Sequence, residues 1–193
     1  MRLAALCLAA FAALTPLSHA QAPVFTTTPE NSAISFFVKA SVALTGNFNK
    51  WHAKLTFASP DVTTGVLDIK IEAATVDAGS GVKNNKLKSK DFFDVEQNPL
   101  ITFHSTKVVQ TGPDTFDVPG VFTIRGVSKP ETLKLSVAGK GTGAGSITGT
   151  MAFDRKDYGM TAGIPFVKIA DRVEVSVDLK VKQVSGPRLV YQQ

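Results

Sequence analysis

Groups able to do chemistry are scarce and scattered in this chain of 193 residues. His52 and His104 each fall on the polar side of an alternating segment, and neither stands at a His-x-His or Glu-x-x-His spacing, so no metal site is expected. The sole cysteine, Cys7, lies close to the N-terminus. A serine nucleophile would need a strained elbow such as Gly-x-Ser-x-Gly, and the sequence contains none. Asp91 and Asp94 flank Phe92 and Phe93, where they read as caps of a helix or turn rather than as an acid–base pair. The run Gly139 to Gly145 looks like a phosphate loop but lacks the closing Gly-Lys-Ser/Thr, and it reads as a flexible hairpin. Arg125 and Arg155 sit where strands meet turns, where a rigid guanidinium fork bonds several carbonyls at once. No catalytic constellation and no cofactor are expected.

The chemistry left is hydrocarbon contact. Thirteen phenylalanines stand against two tyrosines and one tryptophan, and only Phe11 lies in the N-terminal twenty residues. Phenylalanine carries no polar handle, so it suits both a filled core and a surface that meets a greasy ligand. Composition fits either.

Those side chains must be positioned by strands, because period-two alternation dominates. Apolar positions alternate with polar ones in eight segments, around Ile34–Val38, Trp51–Phe57, Leu67–Ile71, Ile101–Phe103, Phe116–Ile124, Leu133–Val137, Ile147–Phe153 and Val173–Val181. One open sheet of this length would leave two edges and a bare apolar face. Closing it removes the edges and pools the apolar faces inside. The sequence therefore predicts an all-β fold: a single closed antiparallel barrel of eight strands. Residues 78–98 break the alternation, and Ser80 is placed to cap a short helix through Lys88 that leads into a turn at Phe92–Phe93. Residues 161–171 form a second irregular stretch. Both belong at the rim as long loops.

The N-terminus reads as a cleaved secretory signal. Arg2 precedes an apolar run from Leu3 to Leu14, and Ser18-His19-Ala20 predicts cleavage before Gln21. Residues 21–193 then form one barrel domain without cysteine, localised to the periplasm. Removing Arg2 takes Lys plus Arg from 21 to 20 against 16 Asp plus Glu, a net charge of about +4. The charge is scattered, which argues against nucleic acid as a partner. Outward polar faces, a single tryptophan and no aromatic girdle argue against an outer-membrane barrel.

Four blocks carry a resemblance. They are Gly46, Phe48 and Trp51; Phe92, Phe93, Pro99, Ile101 and Phe103; Gly120, Arg125, Gly126 and Pro130; and Arg155, Tyr158 and Gly159. In this order they resemble the YceI-like, polyisoprenoid-binding family, from Ser32 to Lys182. The resemblance implies a lipocalin-like periplasmic barrel that sequesters or carries a long-chain isoprenoid, a polyprenyl phosphate or pyrophosphate or a quinone-like lipid, in an apolar tunnel. The alternative is an enzyme or stress-response accessory acting on a small lipophilic compound in the same cavity. The expected tunnel residues are Phe36, Val38, Phe48, Trp51, Phe103, Phe122, Met151, Phe153 and Met160, with Phe92, Phe93 and Phe166 near the mouth. Arg125, Arg155 and Lys86 are the candidates for a head group. Here Lys83-Asn84-Asn85-Lys86-Leu87 stands where members commonly carry Arg-Asp-x-His-Leu, so Lys86 replaces the histidine and Asn84 the acid, and the lysines offer point charges for a phosphate. The expected partners are such a lipid, a membrane surface touched transiently, and a second copy in a homodimer.

Overall fold

The computed structural model describes residues 21–41, 43–163 and 167–192. Eleven strands make one antiparallel sheet: β1 (Val24–Ala40), β2 (Leu44–Phe48), β3 (Trp51–Thr56), β4 (Val66–Glu72), β5 (Val76–Asp77), β6 (Leu100–Ser105), β7 (Val109–Gln110), β8 (Thr115–Ile124), β9 (Val127–Ala138), β10 (Ala144–Asp154) and β11 (Ile169–Ser185). β11 pairs with both β10 and β1, and the path β11-β10-β9-β8-β6-β4-β3-β1 closes on itself. The expected eight-stranded barrel is the observed one. Eleven segments fill eight places because three of the strands are broken: β2 continues into β3, β4 into β5, and β6 into β7.

The first two breaks lie side by side and are stitched together. The Asn49 amide donates to the Thr75 carbonyl at 3.2 Å, the Lys50 amide to Thr75 Oγ1 at 3.1 Å, and the Glu72 amide to the Lys50 carbonyl at 3.0 Å. These bonds satisfy backbone groups that the interrupted ladder would leave bare.

β1 begins at Val24, ten residues before the alternation at Ile34 becomes visible. A bulge hides its first half. The pairing with β11 slips between Thr28 and Ala33, where Asn31 takes a positive φ of 62°. The Ser32 hydroxyl closes the bulge by donating to the Thr28 carbonyl at 2.5 Å and accepting from the Lys180 amide at 2.8 Å. Between Thr28 and Ala33 five steps along β1 run against two along β11, and this odd excess shifts the two-residue period, so pattern reading loses the strand there.

Among the described residues the one α-helix, α1 (Gly81–Lys88), forms where Ser80 predicts it, with the Ser80 side chain accepting from the Lys83 amide at 3.3 Å. Only Leu87 of α1 is buried, and it anchors the helix over one end of the barrel. That end is called upper here. The outward faces carry residues such as Lys54, Asp68, Lys70, His104, Lys134 and Glu174, all exposed or half-buried, so the barrel exterior is polar. Among the described residues no helix is long and apolar enough to cross a membrane.

Candidate functional site

The upper rim is assembled from the sequence blocks singled out above. β10 ends in a short 3-10 turn, Arg155–Tyr158, capped by the Asp154 carboxylate on the Lys156 amide at 2.8 Å. In a 3-10 turn residues three apart eclipse. Arg155 and Tyr158 therefore share a side, and both are buried. Gly159 ends the turn with φ 75°, a left-handed conformation that suits glycine. The Arg-x-x-Tyr-Gly spacing is thus the geometry of one turn.

Arg155 is a clasp. It donates to the carbonyls of Met160, Ala162 at 3.0 Å and Ala170 at 3.3 Å, and pairs with Asp171 at 3.0 Å. Lys156 bonds the other Asp171 oxygen at 2.7 Å, and this bond, joined by Arg155, holds the Asp171 carboxyl below the usual range. Arg125 is a second clasp. With Gly126 it makes the two-residue β8–β9 turn, both at positive φ, as a type I′ hairpin requires. Its guanidinium donates to the Gly159 carbonyl and, at 2.7 Å, to the Lys90 carbonyl. One side chain so joins the hairpin, the 3-10 turn and the loop after α1. Tyr158 donates to Glu131 at 3.0 Å and stacks edge-on against Phe122 and Phe153; burial, reinforced by Glu131, pushes its hydroxyl pKa up.

Beneath this rim lies an apolar chamber of about 60 Å³. Of the residues expected there, Phe36, Val38, Phe48, Phe92, Phe93, Phe122, Phe153 and Met160 border it, and so does Arg155. Phe36, Phe48 and Phe93 form a cluster with ring centroids 5.8–6.3 Å apart. Further walls come from Ile34, Leu44, Ile71, Leu87, Ile101, Ile124, Ile169, Val173 and Val175. Most of these are aliphatic members of the alternating sets, which alternation places inside the barrel without assigning them to a chamber. Among the described residues Arg155 is the only charged one in the lining, and four of its donor bonds go to protein carbonyls and Asp171.

A second apolar chamber of about 70 Å³ occupies the lower end, among Phe25, Leu55, Phe57, Val62, Leu67, Val108, Phe116, Val118, Leu135, Val137, Ile147 and Val181. Its floor is the segment 187–192, which contributes Leu189 and Tyr191. That segment is tied down by a parallel bridge of Val190 with Asp61, by the Val190 amide to the Pro60 carbonyl at 2.8 Å, and by reciprocal Gln110–Gln192 bonds at 2.8 and 2.9 Å. Its strand walls belong to the alternating segments, but no sequence signal pointed to its floor, because residues 186–192 have no period.

The two chambers share no lining residue. Between them a packed layer, a septum, crosses the barrel: Ala53, Ile69, Phe103, Gly120, Leu133, Gly149, Val177 and Leu179, all buried. The expectation of one continuous tunnel is therefore corrected to two chambers and a septum in this structure. Phe103 belongs to the septum, not to either chamber. Met151 is buried but borders neither chamber, and Trp51 is half-buried at the outer margin of the core. Strand alternation tells inside from outside and carries no information about depth along the barrel. Arg125 and Lys86 lie outside the chambers. Lys86 pairs with Asp91 at 2.7 Å, which holds the Asp91 carboxyl low, and sits 5.6 Å over the Phe92 ring. Phe166 falls outside the described residues, as does the expected cleavage after Ala20. Among the described residues no group of three or more His, Cys, Asp or Glu could hold a metal ion.

The sequence profile of the YceI-like domain matches residues 25–181, which runs from the start of β1 into β11. The chain belongs to the YceI-like domain family. Among proteins of this kind, a UPF0312 protein of Pseudomonas aeruginosa is 31% identical over 122 residues, covering 61% of this chain and 63% of that one, so the match spans a little under two thirds of the relative's length. Among solved structures, the chain resembles Burkholderia cenocepacia BcnA at TM-score 0.72 and 26% identity, over 80% of this chain and 98% of that one. It also shares its fold with a polyisoprenoid binding domain from Saccharophagus degradans at TM-score 0.67 and 16% identity, over 83% and 99% of the two chains.

Proposed function

We propose that this YceI-like barrel binds a long-chain isoprenoid and sequesters or carries it in the periplasm, once residues 1–20 have been removed. The observation that carries the reading is the upper chamber. Its walls are hydrocarbon except for Arg155, whose donors face carbonyls, so the interior offers a lipid tail almost nothing but apolar contact. Each buried methylene contributes ~0.8 kcal/mol, which makes a tail a sufficient handle without polar recognition. The polar exterior keeps the loaded barrel in water. The fold-mate from Saccharophagus degradans, described as a polyisoprenoid binding domain, supports the same ligand class.

In this reading Phe36, Val38, Phe48, Phe92, Phe93, Phe122, Phe153 and Met160 contact the tail. Lys86 and Arg125 place positive charge on the rim beside α1, where a phosphate or pyrophosphate head and an anionic membrane surface would meet it. The role is binding, with no chemical step. Native mass spectrometry of the protein purified from its own host, followed by lipid extraction, tests this. A stoichiometric prenyl lipid is expected. Empty protein that also fails to bind a fluorescent prenyl analogue sinks the reading.

A further inference from the structure

The two chambers are small. At ~10–15 Å³ of such space per water, about 60 and 70 Å³ correspond to a handful of water molecules each. A long chain has to gain room by moving side chains, and the septum shows where.

We propose that Phe103 is the gate of this barrel: its ring must leave the recess over Gly120 before an apolar chain seated in the upper chamber can extend past the septum toward Tyr191. This rests on the lipid-binding reading and adds the residue that controls passage between the chambers.

Along one wall the septum is a single residue thick. On β4 only Ile69 separates Ile71 of the upper chamber from Leu67 of the lower. On β8 only Gly120 separates Phe122 from Val118. Phe103 is paired with Phe122 across β6 and β8, and its ring lies over Gly120: a Cβ on that glycine would stand 2.6 Å from Phe103 Cζ. A glycine in the wall makes the recess in which the ring rests. No polar atom holds the ring there, and a chamber lies on either side of it. The opposite wall is different. On β11 both Val177 and Leu179 lie between Val175 and Val181, and Leu133 and Leu135 cover Gly149. Aliphatic side chains packed two deep make the fixed side of the septum, which leaves Phe103 as the movable part.

Charge sets the direction. Arg155 lines the upper chamber, whereas the described residues lining the lower chamber are uncharged, and Lys140 and Arg188 at that end lie outside it. A chain with a polar head at the upper rim and an unsubstituted tail below matches both ends. From Ile124 to Phe116 the interior wall of β8 runs eight residues, about 26 Å at ~3.3 Å per residue.

The test compares farnesyl monophosphate, short enough for the upper chamber, with pentaprenyl monophosphate, whose extended chain matches that wall, using the full chain in detergent-free titrations. The wild type should bind the longer probe roughly tenfold or more tightly, because more methylenes leave water. Ile147→Trp, which fills the lower chamber, should remove that advantage and leave farnesyl binding within about twofold. Leu135→Trp is half-buried on the same chamber and does the same job should Ile147→Trp fail to fold. Phe103→Ala should speed association of the long probe and leave the short one unchanged; no change in the long probe's association rate overturns the gate. Equal affinity for the two probes, or a length advantage that survives in folded Ile147→Trp and Leu135→Trp, overturns the gate while leaving lipid binding intact. Failure of both probes to bind the wild type removes the lipid reading and the gate with it.

Discussion

The upper and lower ends of the barrel are closed by different chemistry. At the upper end, arginines reach from strand ends to the carbonyls of neighbouring loops: Arg155 to Met160, Ala162 and Ala170, and Arg125 to Lys90 and Gly159. At the lower end, a tail segment is held by neutral backbone bonds, an amide pair and two apolar plugs, Leu189 and Tyr191. Hydrogen bonds to charged groups are shorter and stronger than neutral ones. The upper closure is therefore specified by a few residues whose loss is felt at once, whereas the lower closure is distributed. This explains why the recognisable sequence blocks gather at the upper rim.

The largest break in that comparison is expected from Arg155→Ala. It leaves the carbonyls of Met160, Ala162 and Ala170 without their donor, and an unsatisfied buried acceptor costs ~1–3 kcal/mol. Urea denaturation should show a loss of about 3 kcal/mol. Arg155→Lys should recover less than half of it, because an ammonium cannot span three carbonyls and Asp171 with a planar fork. Full recovery by lysine would mean that charge alone matters there.

Next in size is Gly120→Ala against Gly46→Ala. An added Cβ at Gly120 meets the His104 carbonyl at 2.5 Å, which is backbone within the ladder and cannot give. At Gly46 the nearest obstacle is Phe36 Cζ at 2.5 Å, the far end of a ring that borders the upper chamber and has space to move. Gly120→Ala should cost roughly 1–3 kcal/mol and Gly46→Ala under about 1 kcal/mol. Equal melting temperatures would show that the septum is as compliant as the chamber wall.

Tyr191→Ala tests the lower floor. The ring packs 6.2 Å from Phe116, with Lys140 Nζ 4.7 Å from its centroid. A loss of roughly 1–2 kcal/mol is expected. Hydrogen exchange should quicken at the Val62 and Val190 amides and stay slow at Phe93. Acceleration at both ends would show that the closures act as one unit.

The smallest effect is that of acid. Hydrogen bonds hold the carboxyl pKa values of Asp77, Asp91 and Asp171 low at the upper end, and that of Asp61 at the lower. A carboxylate with a depressed folded pKa contributes stability that is full above its unfolded value near 4 and fades as pH falls through the folded value. Below about pH 4 the upper end should loosen before the lower one. Exchange at pH 3 and pH 6, compared end by end, measures it; an unchanged order of protection would place the acid sensitivity elsewhere.

Much of this molecule is fixed by local pattern. Alternation sorts each strand into inner and outer faces, because successive side chains of a strand must point to opposite sides. Ser80 starts the helix because its oxygen caps an orphan amide, and Arg125-Gly126 and Arg155-x-x-Tyr158-Gly159 mark turns because their backbones need those conformations. The sequence did not reveal the first half of β1, since the bulge at Asn31 and Ser32 shifts its period, nor the segment 187–192, which has no period. Depth along the barrel was also hidden. Phe36, Phe103 and Phe116 are equally apolar and equally inward, yet one borders the upper chamber, one belongs to the septum and one borders the lower chamber. Only the closure of the barrel decides this. Register between strands distant in sequence sets which residues share a level, and a glycine near that level sets where the Phe103 ring rests.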